Sequence, residues 1–294
     1  MRTVRNHPPT YYRHAMTDVG PKARIAGVFD RAAPTYEQTG VEFFGPPGRA
    51  LVAHAGIATG ERVLDLGCGR GNVLFPAAAA VGPTGTVIGV DFAPTMRQLT
   101  AEAAKDLPWV RVTSGDAEFP AFRPGSFDVV TGGFMVFLMS DPAAAVARWA
   151  HLLRPGGRLA VSTFAESTAA GQAFYADRNA ALAPFQLPDP EQGLESKEVG
   201  AAQPAWVTGL FDGAYLTDVT TAELTVRSEF PSADAYWTWW LSLGSRRLLE
   251  RVPARREEAA RAAITAVLDK HLRRPGGGYR AETPMRLTVA RRPG

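Results

Sequence analysis

One cysteine, Cys68, occurs in 294 residues, which excludes an internal disulfide framework and a Cys-rich structural zinc site. No run of about 18 apolar residues occurs, and the Ala-rich stretch from Val73 to Val90 is broken by Pro76, Gly82, Pro83 and Gly85. No membrane span is therefore expected. The first residues, MRTVRNHPPTYYRHAM, are basic but lack an apolar stretch behind them, so no signal peptide is predicted and a cytoplasmic location is expected. Internal repeats are absent, and the one low-complexity tract, Gly276-Gly277-Gly278 after Pro275, reads as a turn. The net charge of +3 is too small to imply a nucleic-acid partner.

What is present is the material of a globular chain: 46% of residues are hydrophobic and 21% charged, enough to bury a core. The length allows one elaborated α/β domain or two smaller ones. Charge is unevenly spread. Between Arg246 and Arg292, twelve arginines and Lys270 face five carboxylates, an excess of eight, and the rest of the chain is acidic by five. Such a segment is either a solvated helical face or a surface for an anionic ligand.

Strand and helix signals alternate along the chain. Residues 21–57 give apolar positions at helical spacing, interrupted at Pro34 and at Gly45-Pro46-Pro47-Gly48, and predict two or three short helices. ERVLDLG, TGTVIGVD, WVRVTSGD, SFDVVTGG and GGRLAVSTF are short apolar, β-branched runs, and they predict five strands. The segments Asn72–Val81, Pro94–Asp106 and Pro142–Leu153 between them read as helices. Strands separated by such helices imply right-handed crossovers and a parallel sheet. LTDVTTAELTVRSEF and MRLTVARR predict two final strands, with one or two helices inserted between them. The expected fold is α/β: a Rossmann-like, seven-stranded, mostly parallel sheet flanked by helices.

The chemistry begins at VLDLGCGRGN, residues 63–72. An apolar strand ends in Asp65, and Gly67, Gly69 and Gly71 follow before a helix. Glycines there let the backbone approach a ligand at the carboxyl end of the strand, where open α/β sheets bind. The dinucleotide fingerprint needs glycine at position 72, where this chain has Asn72, and a carboxylate before the loop suits a cationic group better than a pyrophosphate. Cys68, inside the loop, reads as a small packed residue and not as a nucleophile.

DLGCGRG resembles the glycine motif of class I S-adenosylmethionine methyltransferases. Further motifs of that family follow in order, closely over residues 55–165. Asp91, ending VIGVD, corresponds to the residue that binds the ribose hydroxyls, and Phe92 and Met96 sit where the family packs apolar side chains against adenine. Asp116, with Ala117 beside it, matches the acceptor for the adenine amino group. FDVVTGGFMVFLMSDP, with Gly132, and LLRPGGRLAVSTF match the fourth and fifth strand motifs, and Tyr36 matches an N-terminal tyrosine that lies against the cofactor. The pattern is similar to the ubiquinone and menaquinone methyltransferase-like branch and to small-molecule methyltransferases of bacterial secondary metabolism. It implies S-adenosylmethionine as cofactor and an N-terminal helical lid over residues 1–55. The methyltransferase domain would then span 56–294, with an acceptor-side insertion at 231–278. The chain lacks the N/D-P-P-Y/F signature of adenine methylation in nucleic acid, and Cys68 is not placed for attack on cytosine, so a small molecule is the expected acceptor. A non-catalytic cofactor-binding regulatory protein is a separate alternative, and a homo-oligomer is conceivable.

Two acceptor chemistries compete. Alkene C-methylation leaves a carbocation, which aromatic rings shield while a carboxylate removes a proton, and Glu166 follows the fifth strand where such a group would sit. If the alkene were on a prenyl diphosphate, Arg246 and Arg247 would clamp phosphate, and Mg2+ would enter only with that diphosphate, since no metal-ligand set is apparent. Phe44, Phe134, Tyr175, Trp237 and Trp240 are the candidate acceptor walls. The alternative is O- or N-methylation of a quinone-like, polyketide or aromatic product, with His14, His54, His151 or a tyrosine as base. An isoprenoid acceptor is the leading expectation. Met1–Gly20 could act as a lid or in subunit exchange.

Overall fold

The computed structural model describes residues 20–188 and 202–294. The five apolar runs form strands β1 (Arg62–Leu66), β2 (Thr86–Asp91), β3 (Val110–Ser114), β4 (Phe127–Gly133) and β5 (Leu153–Phe164). Strands β6 (Thr217–Phe230) and β7 (Tyr279–Arg291) complete one sheet in the order β3-β2-β1-β4-β5-β7-β6. The first five are parallel, and β7 runs antiparallel between β5 and β6. Strand order reverses between β1 and β4, which opens a crevice at their carboxyl ends.

The helices are α1 (Pro21–Ala32), α2 (Gly45–His54), α3 (Leu74–Val81), α4 (Pro94–Ala103), α5 (Pro142–Leu152), α6 (Ala169–Leu182), α7 (Pro204–Gly213), α8 (Ala233–Leu241), α9 (Arg246–Glu250) and α10 (Ala254–His271). Five of them, α1, α2, α4, α5 and α7, begin with proline in the first turn, where its missing N–H costs no helical bond. The Asp141 side chain caps α5 by accepting from the Ala144 N–H at 3.0 Å.

Period-two alternation distributes the strands between two cores. Val63, Val129 and Ala160 face Leu51 of α2 and Leu74 and Ala77 of α3. Their neighbours Leu64, Val130, Leu159 and Val161 face Trp149 of α5 and Phe211 of α7. Both faces are buried, so these strands read as continuous apolar runs. A third core of Phe174, Tyr236, Trp239, Trp240, Ile264, Leu268 and Met285 joins α6, α8 and α10 to β7.

The insertion between the last two strands holds three helices where one or two were expected. Gly244 lies between α8 and α9, where a Cβ would come within 2.8 Å of the Phe29 ring, and Pro253 precedes α10 as its N-cap. β7 begins six residues before the expected Met285. Seven of the thirteen cations of the basic C-terminal segment stand in ion pairs with described residues: Arg246 with Glu250, Arg261 with Glu257 and Asp234, Lys270 with Asp177, Arg273 with Asp269, Arg274 and Arg280 with Glu229, and Arg286 with Glu223. Carboxylates of β6 thus answer arginines of β7 and its preceding turn, and much of the local charge excess is an ion-paired face. Among the described residues no helix is long and apolar enough to cross a membrane. The expectations for Met1–Val19, including His14, lie outside the described residues.

Candidate active site

A cavity of about 840 Å³ opens at the carboxyl ends of β1, β2, β4 and β5, within the usual range for small-molecule sites. At one end the β1 strand carries Asp65 into it, 1% exposed. Burial pushes the Asp65 carboxyl up to about 7, against the pull of the Thr131 hydroxyl, which donates to it at 2.7 Å, and with help from the charge of Asp91. The loop that follows turns on Gly67, Gly69 and Gly71, at φ +64, +48 and +88. Gly71 has no substitute: a Cβ there would sit 2.4 Å from the Phe75 ring.

Asp91 ends β2 with both oxygens fixed, accepting from the N–H of Gly69 and of Ala93 at 2.8 Å each. Burial raises its pKa and these two hydrogen bonds oppose the rise. Thr100 donates to the Gly69 carbonyl at 2.6 Å, and the Arg70 guanidinium donates to the Ala33 carbonyl at 2.8 Å, so the glycine loop is tied to α4 and to the end of α1. Phe92, 48% exposed, and buried Met96 line the same end, as do Asp116 and Ala117. Two carboxylates with room for a cation and a diol, flanked by apolar faces, fit the groups of S-adenosylmethionine.

Lys22 of α1 was not predicted. Its ammonium bonds Asp116 at 2.8 Å and Glu118 at 2.6 Å, fastening α1 over this end of the cavity. Glu37, also missed, accepts from the N–H of Phe43, Phe44 and Gly45 at 3.2 Å each and so starts α2. That anchor sets Phe44 against Tyr36 in a stack at 5.8 Å. Phe44 in turn meets Phe134 at 4.9 Å, and Phe134 meets Phe164 at 5.2 Å. Phe134 is held at φ +52 after β4, its N–H donating to the Ser162 hydroxyl at 3.2 Å. This ring series leads from the cofactor end into a chamber walled by Phe174, Tyr175, Tyr236, Trp239 and Trp240.

Of the predicted residues, Tyr36, Asp65, Gly67, Gly69, Asp91, Phe92, Met96, Asp116 and Ala117 come together at one end, and Phe44, Phe134, Tyr175, Trp240 and Arg247 line the remainder. Three of the predicted binding residues do not reach the cavity. Gly132 faces Met135 and Trp149 in the core, and its neighbour Gly133 lines the cavity instead. Trp237 is buried in the helical core with the Arg261 guanidinium 4.7 Å from its ring. Arg246 donates to Glu250 at 2.8 Å and to the Arg31 carbonyl at 2.5 Å, fastening α9 to α1. Glu166 is exposed at the rim, where its carboxylate accepts from the Gln203 amide at 2.7 Å. His54 and His151 lie away from the cavity, on the backbone carbonyls of Thr220 and Ala147. Burial pushes the Cys68 thiol well up, which keeps it protonated beside Gly89.

Residues 63–157 match the family model of a methyltransferase domain. Nocamycin O-methyltransferase of Saccharothrix syringae is 36% identical over 280 residues, spanning 90% of this chain and 97% of that protein. Aklanonic acid methyltransferase DauC of Streptomyces sp. strain C5 is 44% identical over 150 residues, 50% of this chain and 68% of that protein. Among solved structures, the YcgJ protein of Bacillus subtilis shares the fold with a TM-score of 0.58 at 20% identity, over 85% of this chain and 99% of that one. With the strand order, the acid-glycine loop and a relative matched along nearly its whole length, the chain belongs to the class I S-adenosylmethionine-dependent methyltransferases.

Proposed function

We propose that this enzyme methylates an oxygen of a polyketide-type acceptor with a large apolar body. The observation that carries the reading is the single cavity that runs from the cofactor carboxylates to an aromatic chamber. Planar ring systems stack on such walls, and each ring contact adds about 0.5–1.5 kcal/mol beyond burial. The matched relatives support the same class, one named for O-methylation of nocamycin and one for methylation of aklanonic acid.

When bound, S-adenosylmethionine supplies an electrophilic methyl carbon whose bond to sulfur breaks as the acceptor oxygen donates its electron pair. The residues of this chain position the partners. Asp91, its oxygens already oriented by two N–H groups, is suited to hold the ribose hydroxyls, and Asp65 to hold the ammonium end. Tyr36, Phe44 and Phe134 exclude water between the two halves, and alignment of the reacting atoms supplies much of the acceleration.

The isoprenoid expectation is less well supported. It calls for Glu166 as base and for an arginine pair as diphosphate clamp, yet Glu166 is engaged at the rim and Arg246 is committed to Glu250. The test is incubation with labelled cofactor and two panels, polyketide-type phenols and carboxylic acids against prenyl diphosphates with Mg2+, with the methylated atom assigned by NMR. Label on oxygen in the first panel, retained by Glu166→Gln, is expected. Label on carbon of a prenyl diphosphate, lost in Glu166→Gln, overturns the reading.

A further inference from the structure

We infer that Arg178 is the residue that recognises the acceptor, by binding an oxyanion on it, an inference that rests on the oxygen-acceptor reading above. Arg178 follows Phe174 and Tyr175 on α6 at the i+4 and i+3 positions, so the three share one face of the helix. Its guanidinium lies 4.3 Å from the Trp240 ring, 4.9 Å from Tyr175 and 6.0 Å from Phe174. All four residues line the cavity.

Among the described residues no charged group answers the charge of Arg178. Its hydrogen-bond partners are neutral: the Asn179 side-chain carbonyl at 3.1 and 3.3 Å and the Tyr236 hydroxyl at 3.5 Å. Among the described residues no carboxylate lies within ion-pair distance of it. Arginines elsewhere, such as Arg158, Arg261, Arg280 and Arg286, each have one. A half-buried guanidinium set among aromatic rings and lining a cavity can present its planar fork to a carboxylate or an acidic enol or phenol oxygen. An anion brought there offsets the desolvation that the charge bears without one.

The other titratable groups agree. Among the described residues no histidine lines the cavity, and its carboxylates other than Glu166 stand at the cofactor end. An acceptor that needed its proton removed in place would meet no histidine among the described residues that line the cavity. An acceptor that arrives ionised needs no base, and a cation is the group it requires.

The test uses the full chain loaded with S-adenosylhomocysteine and two probes of one shape, anthraquinone-2-carboxylate and anthraquinone-2-carboxamide, with binding read by quenching of tryptophan fluorescence at pH 7.5. Wild type is expected to bind the carboxylate about 10- to 100-fold more tightly, the range of a charge-assisted hydrogen-bond pair. Arg178→Met should bind the two probes equally while its affinity for S-adenosylhomocysteine stays unchanged. Arg178→Lys, which keeps the charge and loses the fork, should retain part of the preference and serves if the methionine variant does not fold. Equal binding of both probes by wild type, no binding of either, or a preference undiminished in both variants overturns the inference. Transfer is scored separately: oxygen-methylated products without any preference for anions would leave the oxygen-acceptor reading standing and remove Arg178 from recognition. A preserved anion preference with label found only on carbon would do the reverse.

Discussion

Asp65 gives the most quantitative expectation. Its carboxyl is fully buried, accepts from Thr131, and lies close enough to Asp91 for that charge to raise it further, so its pKa stands at about 7 where an ordinary aspartate has 3.8. The gap corresponds to roughly 4 kcal/mol of folding free energy. The sign follows from proton counting. Between about pH 4 and pH 7 the folded protein without cofactor holds a proton on Asp65 that the unfolded chain has lost, so stability falls as pH rises through that window and levels off above it. Asp65→Asn removes the charge and keeps an oxygen for the Thr131 hydroxyl. Its amide N–H groups still need acceptors, so the gain at pH 8 is expected to be on the order of 1–3 kcal/mol, with little difference at pH 5. Cofactor binding should move the other way, because in the proposed binding mode the ionised carboxylate receives the ammonium group. The variant should bind S-adenosylhomocysteine about 10- to 100-fold more weakly at pH 8, and the wild-type preference for higher pH should flatten. Urea denaturation without cofactor and titration calorimetry, each at pH 5 and pH 8, check both halves. A variant less stable than wild type by the same amount at both pH values would refute the reasoning, since it would mean that Asp65 bears no charge cost in the fold.

Arg158 is a different case, a buried cation with every obvious partner in place. Its guanidinium donates to the carbonyls of Ala55 and Gly56 and to both oxygens of Glu61, joining the end of α2 to β5 and the turn before β1. Arg158→Met strands the half-buried Glu61 and should cost about 3–5 kcal/mol by urea denaturation. Although burial opposes it, Arg158 holds the Glu61 pKa below its ordinary 4.5, so this contribution is complete above pH 4.5 and the gap between wild type and variant should narrow as the solution becomes more acidic. A gap that is constant from pH 7 down to pH 3 would contradict the pairing. Lys22→Met should act on kinetics and on stability: with Asp116 and the buried Glu118 no longer bridged to α1, S-adenosylhomocysteine should dissociate faster in stopped-flow measurements, and the stranded Glu118 carboxylate, left with two backbone N–H partners, should cost about 1–3 kcal/mol by urea denaturation. An unchanged dissociation rate would remove α1 from any role in retaining the cofactor.

The parts of this fold that could be read from sequence share one property, that their cause is local. Asp65, Asp91 and the glycine turn follow from what a strand end and a tight turn demand of adjacent residues, and the short parallel strands announce themselves because both faces are buried. Where the cause is not local, the reading slipped. β7 extends back through Pro284 to Tyr279 although proline within a run argues against a strand. Its place between β5 and β6 is tolerated because the Pro284 carbonyl still accepts from Ala165, while proline has no N–H to leave unpaired. Helix α3 starts at Leu74 and not at Asn72, whose carbonyl packs so closely on α2 that a Cβ on Gly48 would lie 2.1 Å from it. Gly132 and Gly133 cannot be told apart by composition. The pleat alone turns one toward Trp149 and leaves the other to line the cavity.

The other half of the cavity was legible in part, since Phe44, Phe134, Tyr175, Trp240 and Arg247 do line it, and the rest escaped for a related reason. Its walls come from the turn before α2, the end of β4, and helices α6 and α8, segments far apart in the chain that meet only because β7 folds back between β5 and β6. Arg178 illustrates the consequence. On a lone helix, an arginine after two aromatics reads as a solvated residue whose stem covers apolar surface, and nothing within α6 itself suggests otherwise. What converts it into a recognition element on the proposed reading is Trp240, brought from α8 to within 4.3 Å of its guanidinium, together with the lack of a nearby carboxylate among the described residues. Arg246 shows the converse, since it sits in the basic segment expected to meet an anion and is instead consumed by Glu250 and the Arg31 carbonyl. Acceptor choice in such an enzyme is therefore a property of tertiary pairing. A substitution that gives Arg178 an internal carboxylate partner, for example at Asn179, would leave the cofactor motifs intact while cancelling the charge that the chamber offers to its ligand.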